Sequence, residues 1–320
     1  MTSVLVFHRT PPENAGGPER LAAAIEARLP DADLELDVAD DYGDAAAKLP
    51  DAEVLVEHRV DAELLEAAAD LEWIQSLSSG YDRFDLEWLA DRGIALTTVS
   101  GVHATPIAHQ ILGYVLTFER GLDRARRQAD RREWRRFAPS EPTGKTVGIV
   151  GLGSIGSRAA EFLEAIGMEV LGVKRDLDDV PDVASEVYPP EELHTVLGRS
   201  AYVVAACPLT DETRGMFDER AFASMDTDAV FINIARGDVA DEDALVDALR
   251  TGNLGGAALD VASEEPLSPA SPLWNMENVI LTPHMAGGSP KFVDRVAGIF
   301  SRNFDRYARG EFEAMESRVV

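Results

Sequence analysis

Three side chains in the second half of the sequence, Arg236, Glu265 and His284, could together hold an anion and move a proton. Histidine is the side chain whose protonation changes near neutral pH, so it suits a general acid or base. A carboxylate such as Glu265, bonded to that imidazole, would hold its orientation and favour its protonated form. An arginine grips a carboxylate with a two-pronged guanidinium and can polarise a neighbouring carbonyl. Singly, each has a plain reading: a capping His, a surface Glu, a structural Arg. Position joins them. Thr210, Arg236, Asp260 and His284 fall at or just beyond predicted strand ends, with Glu265 shortly before His284. In open α/β sheets, ligands bind outside the carboxyl ends of strands, so one crevice is expected to collect these residues.

The element that must serve this crevice is the stretch from Thr143 to Asp176, which reads as strand, glycine turn, helix, strand. Gly151 allows the tight turn, Gly153 lets backbone approach a pyrophosphate, and Gly156 lets the helix lie close on the sheet. Ser154 and Ile155 open the helix, whose free N–H groups and positive dipole end favour an anion. In this context the GLGSIG turn predicts a dinucleotide site. A nicotinamide carries hydride without the accompanying proton, so the protein must supply an acid. An NAD enzyme usually places an acid at the end of the second strand, against the ribose 2′-hydroxyl. Here that position is Lys174, followed by Arg175. Two cations attract a 2′-phosphate, so NADPH is expected, with NADH as the weaker alternative. The competing arrangement has both side chains in solvent and Asp176 on the ribose.

Residues 2 to 100 alternate short apolar runs with helix-like segments, from Val4–Phe7 to Ile94–Thr97, which argues for a parallel, helix-covered sheet. No glycine fingerprint opens this half. Ser78, Ser79 and Gly80 follow a strand end, where backbone N–H groups can meet a carboxylate, although an ordinary loop has the same composition. Pro106 through Arg127 reads as one long amphipathic helix with Ile107, Ile111, Leu112, Val115, Leu116 and Leu122 on its apolar side. His103 and His109 near its start read as structural. The basic run Arg124 to Arg136 is a solvated face or a surface for a dimer or ligand. The last helix is expected over Pro290 to Tyr307.

The chain has 320 residues, 45% of them hydrophobic, and suits two domains. No apolar run is long enough for a membrane span, the N-terminal residues do not read as a signal peptide, and no metal-ligand cluster is evident. The single cysteine, Cys207, suits a reducing cytoplasm. The net charge is −27, from 57 acidic and 30 basic residues, and lysine stands only at Lys48, Lys145, Lys174 and Lys291. Such a field repels nucleic acid and anionic membranes. It also fits a high-salt cytoplasm, where screening is strong.

The stretch Gly144 to Gly288 resembles the D-isomer-specific 2-hydroxyacid dehydrogenase family, including its glyoxylate and hydroxypyruvate reductases. The resemblance rests on the GLGSIG turn, Pro208-Leu209-Thr210 with Thr213, and Asn233-Ile234-Ala235-Arg236-Gly237. It continues through Ala258-Leu259-Asp260-Val261, Glu265-Pro266-Leu267, Ser271-Pro272-Leu273-Trp274 and Thr282-Pro283-His284. The first half is similar more loosely, through Ser79-Gly80-Tyr81-Asp82 and Trp134. The resemblance implies two flavodoxin/Rossmann-like parallel-sheet domains: a substrate domain of residues 1–102 plus 289–320, and an inserted cofactor domain of residues 103–288. It implies Arg236 as the substrate-binding arginine, Glu265 as the carboxylate partner and His284 as the general acid. Pro208, Thr213, Ala235 and Asp260 would join the cofactor contacts, with Asp260 near the nicotinamide. The Ser78-Ser79-Gly80 loop would present amides to the substrate carboxylate. A homodimer through the cofactor domain, and hinges near His103 and after Pro290, are also implied. The chain departs from the family at His109-Gln110, where Glu-His is common. The implied activity is reduction of small 2-oxo acids to D-2-hydroxy acids. Oxidation of formate or phosphite, or cofactor sensing as in corepressor relatives, are the alternatives. His58, Arg59, Tyr81 and Trp134 are candidates for the substrate side-chain pocket.

Overall fold

Runs such as Val54–Val56 and Val147–Val150 are apolar at nearly every position, so both faces of each strand require cover, and helices supply it. The computed structural model describes residues 1–7, 17–57, 61–81, 83–178 and 180–320. The chain divides into two compact units, Met1–His103 with Gly288–Val320, and Ala104–Gly287. The expected bounds, 1–102 plus 289–320 and 103–288, differ by one residue at each junction.

Unit one contains β1 (Thr2–Phe7), β2 (Leu34–Val38), β3 (Val54–Glu57), β4 (Trp73–Ser76) and β5 (Ala95–Thr97), all parallel in the order β2-β1-β3-β4-β5. The helix Phe292–Tyr307 buries Val293, Val296, Ala297, Phe300 and Phe304, and Phe300 stacks on Trp73 at 5.1 Å. A buried polar set fixes the far strands: the Trp73 indole donates to Thr97 Oγ1 at 2.8 Å, and Thr97 donates to Gln75 Oε1 at 3.0 Å. The edge of β5 does not stay open. Val319 N donates to Leu96 O at 2.8 Å, Leu96 N donates to Val320 O at 3.1 Å, and Thr97 bridges Arg318 antiparallel. Covering an edge in this way removes a template for intermolecular pairing.

Unit two contains β6 (Thr146–Val150), β7 (Glu169–Val173), β8 (Glu186–Tyr188), β9 (Tyr202–Ala205), β10 (Val230–Asn233), β11 (Gly256–Leu259) and β12 (Val279–Leu281). All pairs are parallel, in the order β12-β11-β10-β9-β6-β7-β8. The chain moves outward from β6 to β8, then restarts on the other side of β6 with β9. The β6/β9 boundary is therefore the topological switch point, where doubly wound sheets open a crevice.

One expectation fails. Pro106–Arg127 is not a single helix: it is Ala104–Arg120 and Leu122–Asp130, separated by Gly121 in the left-handed region at φ 61. Glycine adopts that conformation without penalty, and a Cβ at 121 would stand 2.6 Å from the Phe137 ring. Leu122, expected on the apolar side, is exposed, and the second helix buries none of its residues.

Candidate active site

The glycine turn sits at the end of β6, at the switch point. Gly151 has φ 103, and a Cβ there would meet the backbone N of Cys207 at 2.7 Å. A Cβ on Gly156 would stand 2.0 Å from Gly151 O, so only glycine lets the helix Ser154–Ala165 start this close to the strand. Gly153 is different. It is the N-cap of that helix, and the space where its Cβ would project is open. Helix N–H groups with no side-chain cap, beside this open space, fit a pyrophosphate. The loop after β9 closes on itself: Thr213 Oγ1 donates to Pro208 O at 2.6 Å and accepts from Thr210 N at 2.8 Å. Lys174 N donates to Tyr188 O at 3.0 Å, and Arg175 beside it is exposed. The positive charge of Arg175 helps hold the Glu212 carboxyl below its ordinary range, after the larger effects of hydrogen bonds from Thr210 and from its own backbone.

The three chemistry-bearing residues come from loops after β10, β11 and β12. His284 Nδ1 lies 2.7 Å from Glu265 Oε2. The other oxygen, Glu265 Oε1, accepts from Ala262 N at 3.2 Å, which fixes the carboxylate from behind. His284 is held at φ 49 by its own N–H, which donates to Asp260 O at 2.8 Å. Both His284 and Glu265 are well exposed, with side-chain accessibilities of 51% and 40%. That leaves the Nε2 edge accessible to a substrate. The Arg236 turn is clamped by buried Asn233, which donates from Nδ2 to Arg236 O at 3.0 Å and accepts from Ala235 N at 3.0 Å. Gly237 packs on the Ala262 backbone, bringing the arginine loop against the loop that carries Glu265. The arrangement can hold an anion on Arg236 and pass one proton through an imidazole paired with a carboxylate.

Asp260 is almost fully buried, and its carboxylate accepts from Thr282 Oγ1, Met285 N and Ala286 N. These bonds tie the Asp260 carboxylate to the loop that carries His284. In unit one, the Ser78–Gly80 turn is partly self-bonded: Ser78 N donates to Ser76 Oγ at 3.1 Å and Gly80 N to Ser78 Oγ at 3.2 Å. Ser79 is the remaining amide of that turn. His103 stacks on Phe292 at 5.3 Å and His109 on Phe162 at 5.0 Å, contacts of packed aromatic residues. His58, Arg59 and Asp82 lie outside the described residues.

Comparison with known proteins decides the family. Residues 112–286 match the model of the D-isomer specific 2-hydroxyacid dehydrogenase NAD binding domain. A glyoxylate reductase of Thermofilum pendens is 35% identical over 265 residues, covering 80% of this chain and 78% of that protein. The chain belongs to the D-isomer specific 2-hydroxyacid dehydrogenase family. A glyoxylate/hydroxypyruvate reductase A of Arabidopsis thaliana is 34% identical over 78% of this chain and 80% of its own. Among solved structures, the NADPH-dependent glyoxylate/hydroxypyruvate reductase of Sinorhizobium meliloti, in complex with NADP and sulfate, superposes with a TM-score of 0.83. It is 30% identical and covers all of this chain and 98% of its own.

As an NAD(P)-dependent D-2-hydroxyacid dehydrogenase, the chain has parts that residue types alone did not single out. Asn233, Thr282 and Tyr114 carry no charge and sit inside apolar runs. The one available signal was Asn233 at the end of an otherwise apolar strand, where a buried amide needs partners. Among the described residues, no helix is long and apolar enough to cross a membrane, and no cluster of His, Cys, Asp and Glu could hold a metal ion.

Proposed function

We propose that this dehydrogenase reduces a small 2-oxo acid to its D-2-hydroxy acid with NADPH in preference to NADH. The 2.7 Å contact between His284 and Glu265 carries the reading. The nicotinamide cofactor, when bound at the Gly151–Gly156 turn, supplies hydride. Arg236 binds the substrate carboxylate. Protonated His284 gives its proton to the carbonyl oxygen as that oxygen gains charge. Glu265 faces the resulting imidazole and keeps it oriented. Within unit one, the Ser79 amide is the one amide of the Ser78–Gly80 turn not bonded inside the turn, which suits that turn to a carboxylate. Lys174 and Arg175, at the end of β7, support the preference for a 2′-phosphate. A dehydrogenase of Xanthobacter autotrophicus, 28% identical, has been solved with NADPH. The net charge of −27 supports a cytoplasmic enzyme adapted to high salt. The bare Leu122–Asp130 helix and fully exposed Trp134 support a homodimer through unit two.

The test is loss of NADPH absorbance, and separately NADH absorbance, with glyoxylate, hydroxypyruvate, pyruvate and branched 2-oxo acids in molar KCl. Turnover favouring NADPH supports the reading. A folded, NADPH-binding protein that turns over none of them is a cofactor-sensing protein or the dehydrogenase of another anion. Activity equal in dilute buffer and molar KCl removes the salt adaptation.

A further inference from the structure

The loop that holds His284 is tied to a residue that takes no part in the reaction as described. Tyr114 lies in the helix Ala104–Arg120 and is 3% exposed. Its hydroxyl is 2.5 Å from Thr282 Oγ1, and Thr282 Oγ1 in turn donates to Asp260 Oδ1. A carboxylate accepts only, so the single hydroxyl proton of Thr282 is committed to Asp260. Tyr114 must therefore be the donor to Thr282. Burial pushes the phenol pKa above its ordinary value and so keeps the donor proton in place; the contacts with Thr282 and Gln110 act in the opposite sense and the Asp260 charge in the same sense, all with smaller effect. Every hydrogen bond in the series Tyr114, Thr282, Asp260 thus points one way.

Asp260 is where the series meets the catalytic loop. Its Oδ1 also accepts from Met285 N at 3.0 Å and its Oδ2 from Ala286 N at 2.9 Å, the two residues after His284. Its carbonyl accepts from His284 N at 2.8 Å, and His284 N also reaches Thr282 O at 3.0 Å. His284 is bracketed on both sides by groups bonded to Asp260, in a left-handed conformation that non-glycine residues seldom keep unless held.

We propose that Tyr114 is a positioning residue for proton transfer, acting through Thr282 and Asp260 to set the loop from which His284 reaches the substrate. The proposal rests on His284 being the proton donor. A phenylalanine would fill the same space at 114, so the hydroxyl is the functional part. The residue joins the helix to the end of β12 by a bond that packing alone does not require.

The test is steady-state kinetics on the full chain, with melting temperature and NADPH Kd measured on each variant. Tyr114→Phe is expected to lower kcat about tenfold, the usual scale for loss of an outer partner that orients a reacting group, with KM for the 2-oxo acid and Kd for NADPH changed less than about twofold. Thr282→Val reads the same series from its middle and is expected to lose as much. Thr282→Ser, which returns the hydroxyl, recovers most of the rate. The double variant Tyr114→Phe with Thr282→Val should be no slower than Thr282→Val alone, because the series is already cut. Parental kcat in Tyr114→Phe, or losses that multiply in the double variant, would overturn the proposal. So would a fall in kcat that tracks melting temperature. His284→Ala is run in parallel: near-normal turnover there defeats the proton-donor assignment itself, whereas a dead His284→Ala beside a parental Tyr114→Phe defeats the positioning role alone.

Discussion

Gly237 presses on the backbone of Ala262: a Cβ at 237 would lie 2.0 Å from the Ala262 carbonyl carbon and 2.2 Å from Ser263 N. Neither partner is a side chain that can swing away. The contact sets the spacing between the arginine loop and the loop whose Ala262 N–H holds Glu265. Gly237→Ala must therefore push the two loops apart. Overpacking of this kind costs about 1–3 kcal/mol of stability. A displacement near 1 Å in a reacting constellation costs on the order of 100-fold in rate. Denaturant unfolding and kcat/KM on the variant measure both. A variant with the parent's rate would mean that the Arg236 position is not set here.

His284→Ala removes the proton donor and is expected to lower kcat by roughly 10²–10⁴. Cofactor affinity, measured by fluorescence titration with NADPH, should be nearly unchanged. Glu265→Gln keeps the shape but removes the charge facing the imidazole. Turnover should drop about tenfold or more, with NADPH affinity nearly unchanged. Parental turnover would show that Glu265 acts only as a spacer.

Arg175→Asp places a carboxylate where a 2′-phosphate is expected. The KM for NADPH should rise on the order of 10- to 100-fold, from losing a charge-assisted bond and gaining a repulsion. The KM for NADH should change little. Equal effects on the two cofactors would assign the recognition to another residue, with Asp176 the first to examine.

Glu119 is, like Asp260, a buried carboxylate of unit two. Its side chain is 2% exposed, and Oε1 accepts from Lys145 Nζ at 2.6 Å and from Tyr202 OH at 2.7 Å. Burial raises its pKa, but the bonds from Lys145, Tyr202 and Ser140 together outweigh it and hold the carboxyl below its ordinary value of 4.5. A lowered carboxyl adds stability that is present above the ordinary value and is lost as pH falls through the folded one. Lys145→Met removes the cation and leaves the carboxylate with uncharged partners such as Tyr202 OH. Because Lys145 is 37% exposed, the expected cost is about 2 kcal/mol, less than the roughly 3–5 typical of a fully buried pair. Urea unfolding at neutral pH checks the size. Unfolding below pH 4.5 checks the sign: the parent should lose more stability there than Lys145→Met.

The strands of both units were legible because their apolar runs leave few other readings. The expected run Val4–Phe7 lies inside β1, and Ile94–Thr97 differs from β5 by one residue. β8 was not legible: Glu186-Val187-Tyr188 is too short to show a period, and it forms because β7 offers an edge. The break at Gly121 was hidden for the opposite reason. Apolar residues continue at helical spacing past the glycine, and only the packing of Phe137 against it shows that the chain turns. The site divides in the same way. Glycines and charged residues declared the turn and the Arg236, Glu265 and His284 set. The uncharged residues that orient them are defined by contacts across the fold, which no local spacing encodes.

Trp134 is fully exposed, following a helix with no buried residue. Tryptophan is enriched at interfaces, where its ring is covered and its N–H stays wet. On the proposal of a dimer through unit two, Trp134→Asp is expected to give monomer in light scattering where the parent gives dimer. A parent that is itself monomeric at micromolar concentration would end the dimer reading.

The pairing of Leu96 with Val319 and Val320 has a consequence for how the protein is made. Unit two is one continuous segment, and its last residue is joined before synthesis of the helix Phe292–Tyr307 begins. Unit one at that moment lacks Phe300 against Trp73 and the pairing of Arg318, Val319 and Val320 along β5. Its open edge and uncovered apolar face make it the vulnerable partner during translation, since unpaired edges and exposed apolar surface drive aggregation. Termination between Gly288 and the helix Phe292–Tyr307 would therefore yield a folded cofactor unit carrying an unfinished neighbour, a species for quality control rather than a smaller enzyme.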